Sequence, residues 1–587
     1  MFFICTKNKK MNKTVANYIK KNYLEIAIIS VITLVALILR LLLLKNYGDL
    51  WLDELYSWYF SSQKTVFETV FELLKQDLHV PLYFIILHFW MKIFGNSDIS
   101  MHLCTLALTI PLIPLSFYVV KNIFNKTAAY FAILAITINA FCIYYSIEVR
   151  FYGLVVVLAL SSAFFFVKML ETFEKKYIIG FLISHGLLLY TFSITPILTF
   201  CCCLVGGFYV LRDKKEYLKQ YCKILGIVVA IAMPTILFTL YNFILMKTQT
   251  ICSFSKDIYV FNWLVILDIF ENFFTNDNYQ LLTGQINVYL GFIDKFHYSD
   301  YIIFVFLPLI IGIAGFIRSI FSKDKNLYLF LFPSLLFFII TLFIGALGIN
   351  SFLTRYAAII YPVIVCSAFY GLSLIRPKTL SVILFSCFLL LNCSFYFVVK
   401  RNIFSINRIA LGNLPNIMST YIMPFDDDLI LIPYSEKRVK RYIKHGNVIS
   451  FNFDDALLLK DKASKDFYFG TDKDVNRSNV KKILYSSVLS DKPYERYEKN
   501  LYNKYVSKMK KGQKFIIISF RDTFTMPLNL NWQILNDREV YNNANLFTLI
   551  MSKVLRDSVQ TAEKYLVQKN IYHDETGEYS IYIYEKQ

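Results

Sequence analysis

The stretch "LWLDELYS" (50–57) sets two adjacent carboxylates, Asp53 and Glu54, just after a long apolar run and among aromatic residues. Three later stretches keep ionisable groups in similar company. "HVPLYFIILHFWMKIFG" (79–95) opens on His79, "YYSIEVRFY" (144–152) carries Glu148, Arg150 and Tyr152, and "SFLTRYAAIIYP" (351–362) carries Arg355 and Tyr356. Arg40 lies within the first apolar run itself. Ionisable groups at membrane depth are costly, so they generally face a protein-lined cavity and act there. The plainer alternative for any one of them is an interfacial charge that reaches water along its own stem. For Arg40 the two readings are evenly matched, whereas the others, gathered on one side, favour a site. A carboxylate beside an acceptor hydroxyl can take its proton as general base. An arginine beside a phosphate can pair with it bidentately and stabilise charge building on a leaving group.

The elements that must position these groups are membrane spans. Of 587 residues, 56% are hydrophobic and only 18% charged, well below the quarter that is usual in soluble domains. Apolar runs of ~17–25 residues follow one another, each long enough for a bilayer core. The first, Leu24–Leu44, is too long for a signal-peptide core and lacks a small-x-small cleavage pattern, so it is read as a retained anchor. Ten further spans are expected at about 101–120, 126–144, 151–170, 177–191, 193–211, 221–246, 301–321, 327–347, 356–375 and 378–398. The basic tail 1–23 and the basic segments at 121–126, 174–176, 212–219, 318–325 and 376–378 can share the cytoplasmic side only if about eleven spans alternate. That parity makes 79–95 a juxtamembrane helix on the outer surface instead of another span. The external side then collects loops 45–100 and 247–300, the turn at Glu148 and the turn before Tyr356. A boundary cavity with acids for an acceptor and cations for a phosphate suits a lipid-phosphate-linked donor.

After about residue 400 the pattern changes to short strands and charged stretches, with strand candidates in "LILIP" and the second run of 426–452, in 512–520 and in 579–587. The expected fold is thus a polytopic α-helical membrane protein: a membrane domain over 24–399 and an extracytoplasmic α/β domain over 400–587. The formal charge of +19 falls between apolar runs, where it orients helices, and no nucleic-acid-binding motif is seen. Most of the eleven cysteines sit inside apolar runs without metal-ligand spacing and are read as packing residues. "DDD" (426–428) formally fits the Asp-x-Asp pattern of nucleotide-sugar enzymes, but a solvated turn before "LILIP" is the better reading. His297 could complete a divalent-metal site, Zn²⁺ or Mn²⁺, with His79 or Glu148; a solvated loop histidine is the plainer reading.

Four stretches in order carry a resemblance: "LWLDELYS", "HVPLYFIILHFWMKIFGNS" (79–97), "YYSIEVRFYGLVVVLALSS" (144–162) and "TRYAAIIYPVIV" (354–365). Together they resemble the GT-C glycosyltransferases, specifically the bacterial family 39-like relatives of the polyprenyl-phosphate-mannose protein mannosyltransferases and the aminoarabinose transferases. The likeness is densest over roughly the first 165 residues. Val80 stands where the family has proline and Ile147 where it has glutamine. The resemblance implies a GT-C fold and an inverting hexosyl- or pentosyltransferase of a bacterial cell membrane, which joins the cytoplasmic N-terminus expected from the basic tail. Its donor would be a sugar on a polyprenyl phosphate, and its acceptor a hydroxyl on protein, lipid or cell-envelope polysaccharide. It also implies roles: Asp53 as base, Glu54 as its support, Glu148 and Arg150 lining the site, Arg355 meeting the lipid phosphate, Arg40, Tyr152 and Tyr356 among the substrate-binding residues, and His79 shaping the site or binding metal. A transporter or flippase of a lipid-linked glycan is the alternative; the absence of repeat symmetry and of polar groups inside the spans counts against it.

Overall fold

The computed structural model describes residues 2–47, 50, 52–76, 79–248, 264–276, 303–347, 354–398, 427–432, 447–450, 498–499, 501–520, 558–573 and 579–587. In lipid every backbone polar group must be satisfied within its own segment, so apolar runs of this length form helices. Among the described residues, seven helical segments are long and apolar enough to cross a membrane. They are Asn22–Lys45 within α1 (Phe2–Tyr47), Asp98–Ile123, Tyr152–Thr172, Thr195–Asp213, Lys215–Tyr241, Ile303–Ile320 and Lys325–Ala346. The other four expected spans also carry helices, at Lys126–Ile138, Lys175–Leu189, Tyr361–Ser373 and Lys378–Val398. The first three of these four are only 13, 15 and 13 residues long. The chain is a multi-pass helical membrane protein with a sheet-containing C-terminal part.

Three helices fill the first expected loop: α2 (Leu52–Ser61), α3 (Val66–Gln76) and α4 (Leu82–Phe94). Thr65 and Glu68 form a reciprocal capping box at the start of α3, each backbone N–H reaching the other's side chain at 3.2 and 3.3 Å. At 13 residues α4 is as short as Lys126–Ile138 and Tyr361–Ser373, and the polar groups that interrupt its apolar pattern face its neighbours. His88 donates from Nδ1 to the Ser61 carbonyl at 2.9 Å, and Lys92 Nζ donates to the Lys64 carbonyl at 3.0 Å, so both tie α4 to the end of α2.

In chain order, α5 (Asp98–Thr109), α6 (Leu112–Ile123) and α7 (Lys126–Ile138) lead to a break at Asn139, which caps the short α8 (Ala140–Tyr145) by accepting the Cys142 N–H. The turn at 146–151 follows, then α9 (Tyr152–Thr172), α10 (Lys175–Leu189), α11 (Thr195–Asp213) and α12 (Leu218–Thr248). Gly153 lets α9 approach α5 and α8 closely, since a Cβ there would meet the Thr109 hydroxyl at 2.3 Å and the Tyr145 carbonyl at 2.7 Å. A short helix that the sequence pattern does not announce, α13 (Leu264–Phe274), lies within the second expected loop. After it come α14 (Ile303–Ile320), α15 (Lys325–Ala346), a 3-10 turn (Thr354–Ile359), α16 (Tyr361–Ser373) and α17 (Lys378–Val398).

The C-terminal part holds a five-stranded sheet of β1 (Leu429–Ile432), β2 (Asn447–Ser450), β3 (Lys514–Phe520), β4 (Val567–His573) and β5 (Tyr579–Glu585), in the order β2-β1-β3-β5-β4. β2, β1 and β3 run parallel, while β5 pairs antiparallel with both β3 and β4. Alternation along β3 and β5 puts Phe515, Ile517 and Tyr584 on one packed face, with Leu501, Val506, Val559 and Leu566, and turns Ile516, Ile518, Ile581 and Ile583 to the other. Asp428 accepts from the Lys514 N–H at 2.7 Å, which makes the end of "DDD" part of the turn entering β1. β4, the polar "VQKNIYH", is an edge strand with a register shift between Gln568 and Asn570.

Candidate active site

Helix α2 starts at Leu52, so Asp53 and Glu54 fall in its first turn, where carboxylates favour the positive end of the helix dipole. Consecutive helical residues diverge by about 100°, and these two separate accordingly. Glu54 points into the packed interior and is fully buried. Its Oε1 accepts the Val149 N–H at 2.7 Å and lies 3.7 Å from His102 Nδ1. That His102 nitrogen is 2.7 Å from the Ile147 carbonyl, which can only accept, so the nitrogen carries the proton. Glu54 therefore stitches α2 to the 146–151 turn. The Asp53 side chain, 20% exposed, faces outward from that seam.

The turn in "YYSIEVRFY" brings Arg150 against the start of α2. Its Nη1 donates to the Asp53 carbonyl at 3.2 Å and lies 3.4 Å from Ser57 Oγ, and its Nη2 lies 3.4 Å from His79 Nε2. Arg355, from the 3-10 turn, donates through Nη1 to Asp53 Oδ2 at 2.7 Å. Aromatic rings wall this cluster: His79 against Phe151 at 4.8 Å, Phe151 against Tyr152 at 4.5 Å, and Phe192 against both Tyr152 and Tyr356 at 6.2 Å. Leu82 N–H donates to the Tyr190 carbonyl at 2.9 Å, which fixes α4, and with it His79, beside that wall.

The cluster drives its carboxyls apart. Burial works to raise the pKa of Asp53, but the guanidiniums of Arg150 and Arg355, with the His79 ring, outweigh it and hold the carboxyl below its ordinary value. Glu148, 2% exposed, is pushed up to about 8 by burial and by the charges of Glu54 and Asp53, against the pull of Arg355 and Arg150. At neutral pH the pair thus offers an ionised carboxylate that can accept a proton and a carboxyl that can donate a hydrogen bond, the division of roles expected at acid–base sites.

Asp53, Glu54, His79, Glu148, Arg150, Tyr152, Arg355 and Tyr356 all meet in this region. Arg40 does not share their hydrogen bonds. It is 1% exposed and donates to the Ala36 and Thr137 carbonyls at 3.0 and 3.3 Å and to Cys142 Sγ at 3.3 Å, bridging α1 to the break between α7 and α8. Neither a snorkelling charge nor a member of the Asp53 cluster, Arg40 clamps helices.

The metal reading fits the residues poorly. No group of three His, Cys, Asp or Glu that could hold an ion occurs among the described residues, and His297 lies outside them. The Arg150 guanidinium beside His79 Nε2 also sets a positive charge where a cation would bind. What sequence reasoning missed is α13, whose Asp268 and Glu271 are 8% and 0% exposed. The Thr354 hydroxyl donates to Asp268 Oδ2, next in sequence to Arg355. The signal was there as two acids spaced i, i+3 in the apolar "LVILDIFENFF", but eleven residues is too short to read as a span.

Comparison with known families adds one segment-level finding. Residues 78–238 match the family model described as dolichyl-phosphate-mannose-protein mannosyltransferase. The chain resembles a GT-C mannosyltransferase. The matched segment contains His79, Glu148, Arg150 and Tyr152, while the Asp53 and Arg355 stretches lie outside it. No curated protein sequence matches the chain. Among solved structures it is similar to ArnT from Cupriavidus metallidurans bound to undecaprenyl phosphate, at 11% identity over 96% of this chain and 98% of that one, with a TM-score of 0.47. It is also similar to the Archaeoglobus fulgidus oligosaccharyltransferase in its apo form, at 12% identity over 97% and 75%, with a TM-score of 0.47. The AglB structure from the same organism, with an inhibitory peptide and a dolichol-phosphate, aligns at 13% identity over 97% and 74%, with a TM-score of 0.46.

Proposed function

We propose that this chain is a membrane glycosyltransferase that moves a sugar from a polyprenyl-phosphate donor to an acceptor hydroxyl on the extracytoplasmic side. The observation that carries the reading is the Asp53–Arg355 pair, a carboxylate and a cation 2.7 Å apart at the edge of a multi-pass helical domain. It is supported by the family match over 78–238 and by the opposed tendencies of Asp53 and Glu148. In this reaction the acceptor oxygen gives its proton to the Asp53 carboxylate and attacks the anomeric carbon from the face opposite the phosphate. The bond from that carbon to the phosphate oxygen breaks, and its electron pair leaves with the lipid phosphate. Arg355 receives the phosphate charge, a task suited to a guanidinium that is always ionised and binds in a forked geometry. Inversion follows from attack on the opposite face.

Glu54 supports the base by fixing the first turn of α2 to the Val149 N–H, so that Asp53 keeps its direction. Glu148, held protonated near neutral pH, donates a hydrogen bond to substrate oxygen. Tyr152, Tyr356 and the ring of His79 form the wall against which a sugar or the first isoprene unit packs. The donor enters laterally from the bilayer, and the sheet-containing part from 427 onward lies on the same outer side.

The deciding experiment incubates the full chain, purified into lipid nanodiscs, with a labelled polyprenyl-phosphate sugar and an acceptor extract, and measures release of lipid phosphate. Release that disappears in Asp53→Asn supports the reading. In sealed proteoliposomes, donor carried across the bilayer with its sugar still attached and no lipid phosphate released would replace it with the flippase alternative.

A further inference from the structure

Helix α13 takes no part in the reaction proposed above, yet its acidic residues are buried beside the site. Asp268 Oδ2 accepts from the Thr354 hydroxyl, while Asn272 Nδ2 donates to Asp268 Oδ1 at 3.1 Å and to its carbonyl at 2.7 Å. Thr354 opens the 3-10 turn, and the next residue is Arg355, which reaches Asp53 at 2.7 Å. Adjacent residues of one turn are therefore held by carboxylates from two distant helices, Thr354 by α13 and Arg355 by α2.

The α13 carboxylate is a fixed post. Ile269, Phe273 and Phe274 are each no more than 2% exposed. The Phe273 ring packs on Tyr361 at 5.1 Å and on Phe141 at 5.6 Å. Asn139 Nδ2 donates to the Asn272, Phe273 and Thr275 carbonyls at 3.2, 3.3 and 3.4 Å, tying the end of the helix to the α7–α8 break. The 3-10 turn, by contrast, has the poorer hydrogen-bond geometry of its class. The arginine stem it presents carries much rotamer freedom, and Arg355 is 26% exposed. A charge-assisted bond from a rigid helix to the first residue of such a turn is strong enough to set its orientation.

We propose that Asp268 is a positioning residue. Through the Thr354 hydroxyl it pins the 3-10 turn, so that the Arg355 guanidinium is held at Asp53, where an anionic phosphate would be met. The inference rests on the phosphate-binding role given to Arg355 above.

The test uses the full chain in nanodiscs and undecaprenyl phosphate as the probe, with Asp268→Ala, Thr354→Val, their double variant and Thr354→Ser. Each of the first two is expected to weaken undecaprenyl phosphate binding about tenfold, and the double variant no more than either alone, because both remove one shared bond. Thr354→Ser keeps the hydroxyl and should stay within about twofold. Without the probe, amide hydrogen exchange over 355–359 should quicken in Asp268→Ala and Thr354→Val but not in Thr354→Ser, with α16 unchanged. Losses that multiply in the double variant, unchanged exchange over 355–359, or faster exchange through α16 as well would each overturn the proposal. If the unaltered protein binds no undecaprenyl phosphate, the donor reading fails, and the exchange comparison alone decides the clamp.

Discussion

Two buried polar assemblies meet the α7–α9 region, one centred on Asn139 with Arg40 beside it and the other on Asp53. Around Asn139 the bonds close on themselves. Its amide oxygen accepts from Cys142 N–H and the Tyr361 hydroxyl at 3.0 Å each, and its amide nitrogen faces three carbonyls of residues 272–275. Asn276 accepts the Ala140 N–H at 2.9 Å and donates to the Asn392 carbonyl at 2.8 Å, and Asn392 donates to the Phe274 carbonyl at 3.3 Å. These groups are almost all neutral, and most of their partners are backbone atoms at helix breaks, so the assembly satisfies the chain itself. The Asp53 cluster is built from full charges of both signs. Its central pair, Asp53 and Arg355, remains 20% and 26% exposed. The difference separates polar groups bonded mainly to the chain's own backbone from a pair that retains charge and access.

Five substitutions would break or sharpen that contrast. The largest effect is expected from Asp53→Asn, which should lower turnover by about a thousandfold while leaving the unfolding temperature nearly unchanged; activity assays paired with thermal unfolding in detergent check both halves. Arg355→Lys keeps the charge but loses the fork, and should raise the apparent KM for the lipid donor by about tenfold, read from donor titrations at saturating acceptor. On the other side of the contrast, Asn139→Ala strands several buried groups and should destabilise the protein by about 2–3 kcal/mol; Arg40→Met should also lower the unfolding temperature, with donor KM in the surviving folded fraction within about twofold of the parent. A large KM change in Arg40→Met would place that arginine in the site after all. The smallest effect concerns pH. Because burial and neighbouring carboxylates push Glu148 up to about 8 and the proposed reaction uses its protonated form, activity should decline as pH rises through about 8. Glu148→Gln, a permanent mimic of the neutral form, should flatten that alkaline limb in a pH–rate profile.

Much of the architecture was legible because it rests on local quantities. Hydropathy and run length located a helix at every expected span. The segment 79–95, which parity set apart from the spans, holds a helix over Leu82–Phe94, and its His88 and Lys92 find partners at the end of α2. Four of the five strands were visible in their β-branched and aromatic residues, whereas β4, "VQKNIYH", is an edge strand whose polar composition hides it. Helix α13 escaped notice for a related reason: its acidic residues are buried by tertiary partners such as Thr354, and nothing local announces that.

By itself the sequence determined the membrane-spanning character of the chain, the order of its long apolar helices and the residue types available at their ends, since all of these follow from composition and period. It also supplied the four motifs of the resemblance. Only the tertiary structure decided which of those residues meet. Asp53 and Glu54 look equivalent in one dimension, but the helical turn of roughly 100° per residue sends Glu54 into the Val149 N–H and Asp53 to Arg355. Arg40 and Arg355 likewise look like two cations beside apolar runs. The fold commits one to carbonyls at a helix break and the other to a carboxylate 302 residues away. Such pairings depend on how helices distant in sequence pack, so no local pattern encodes them.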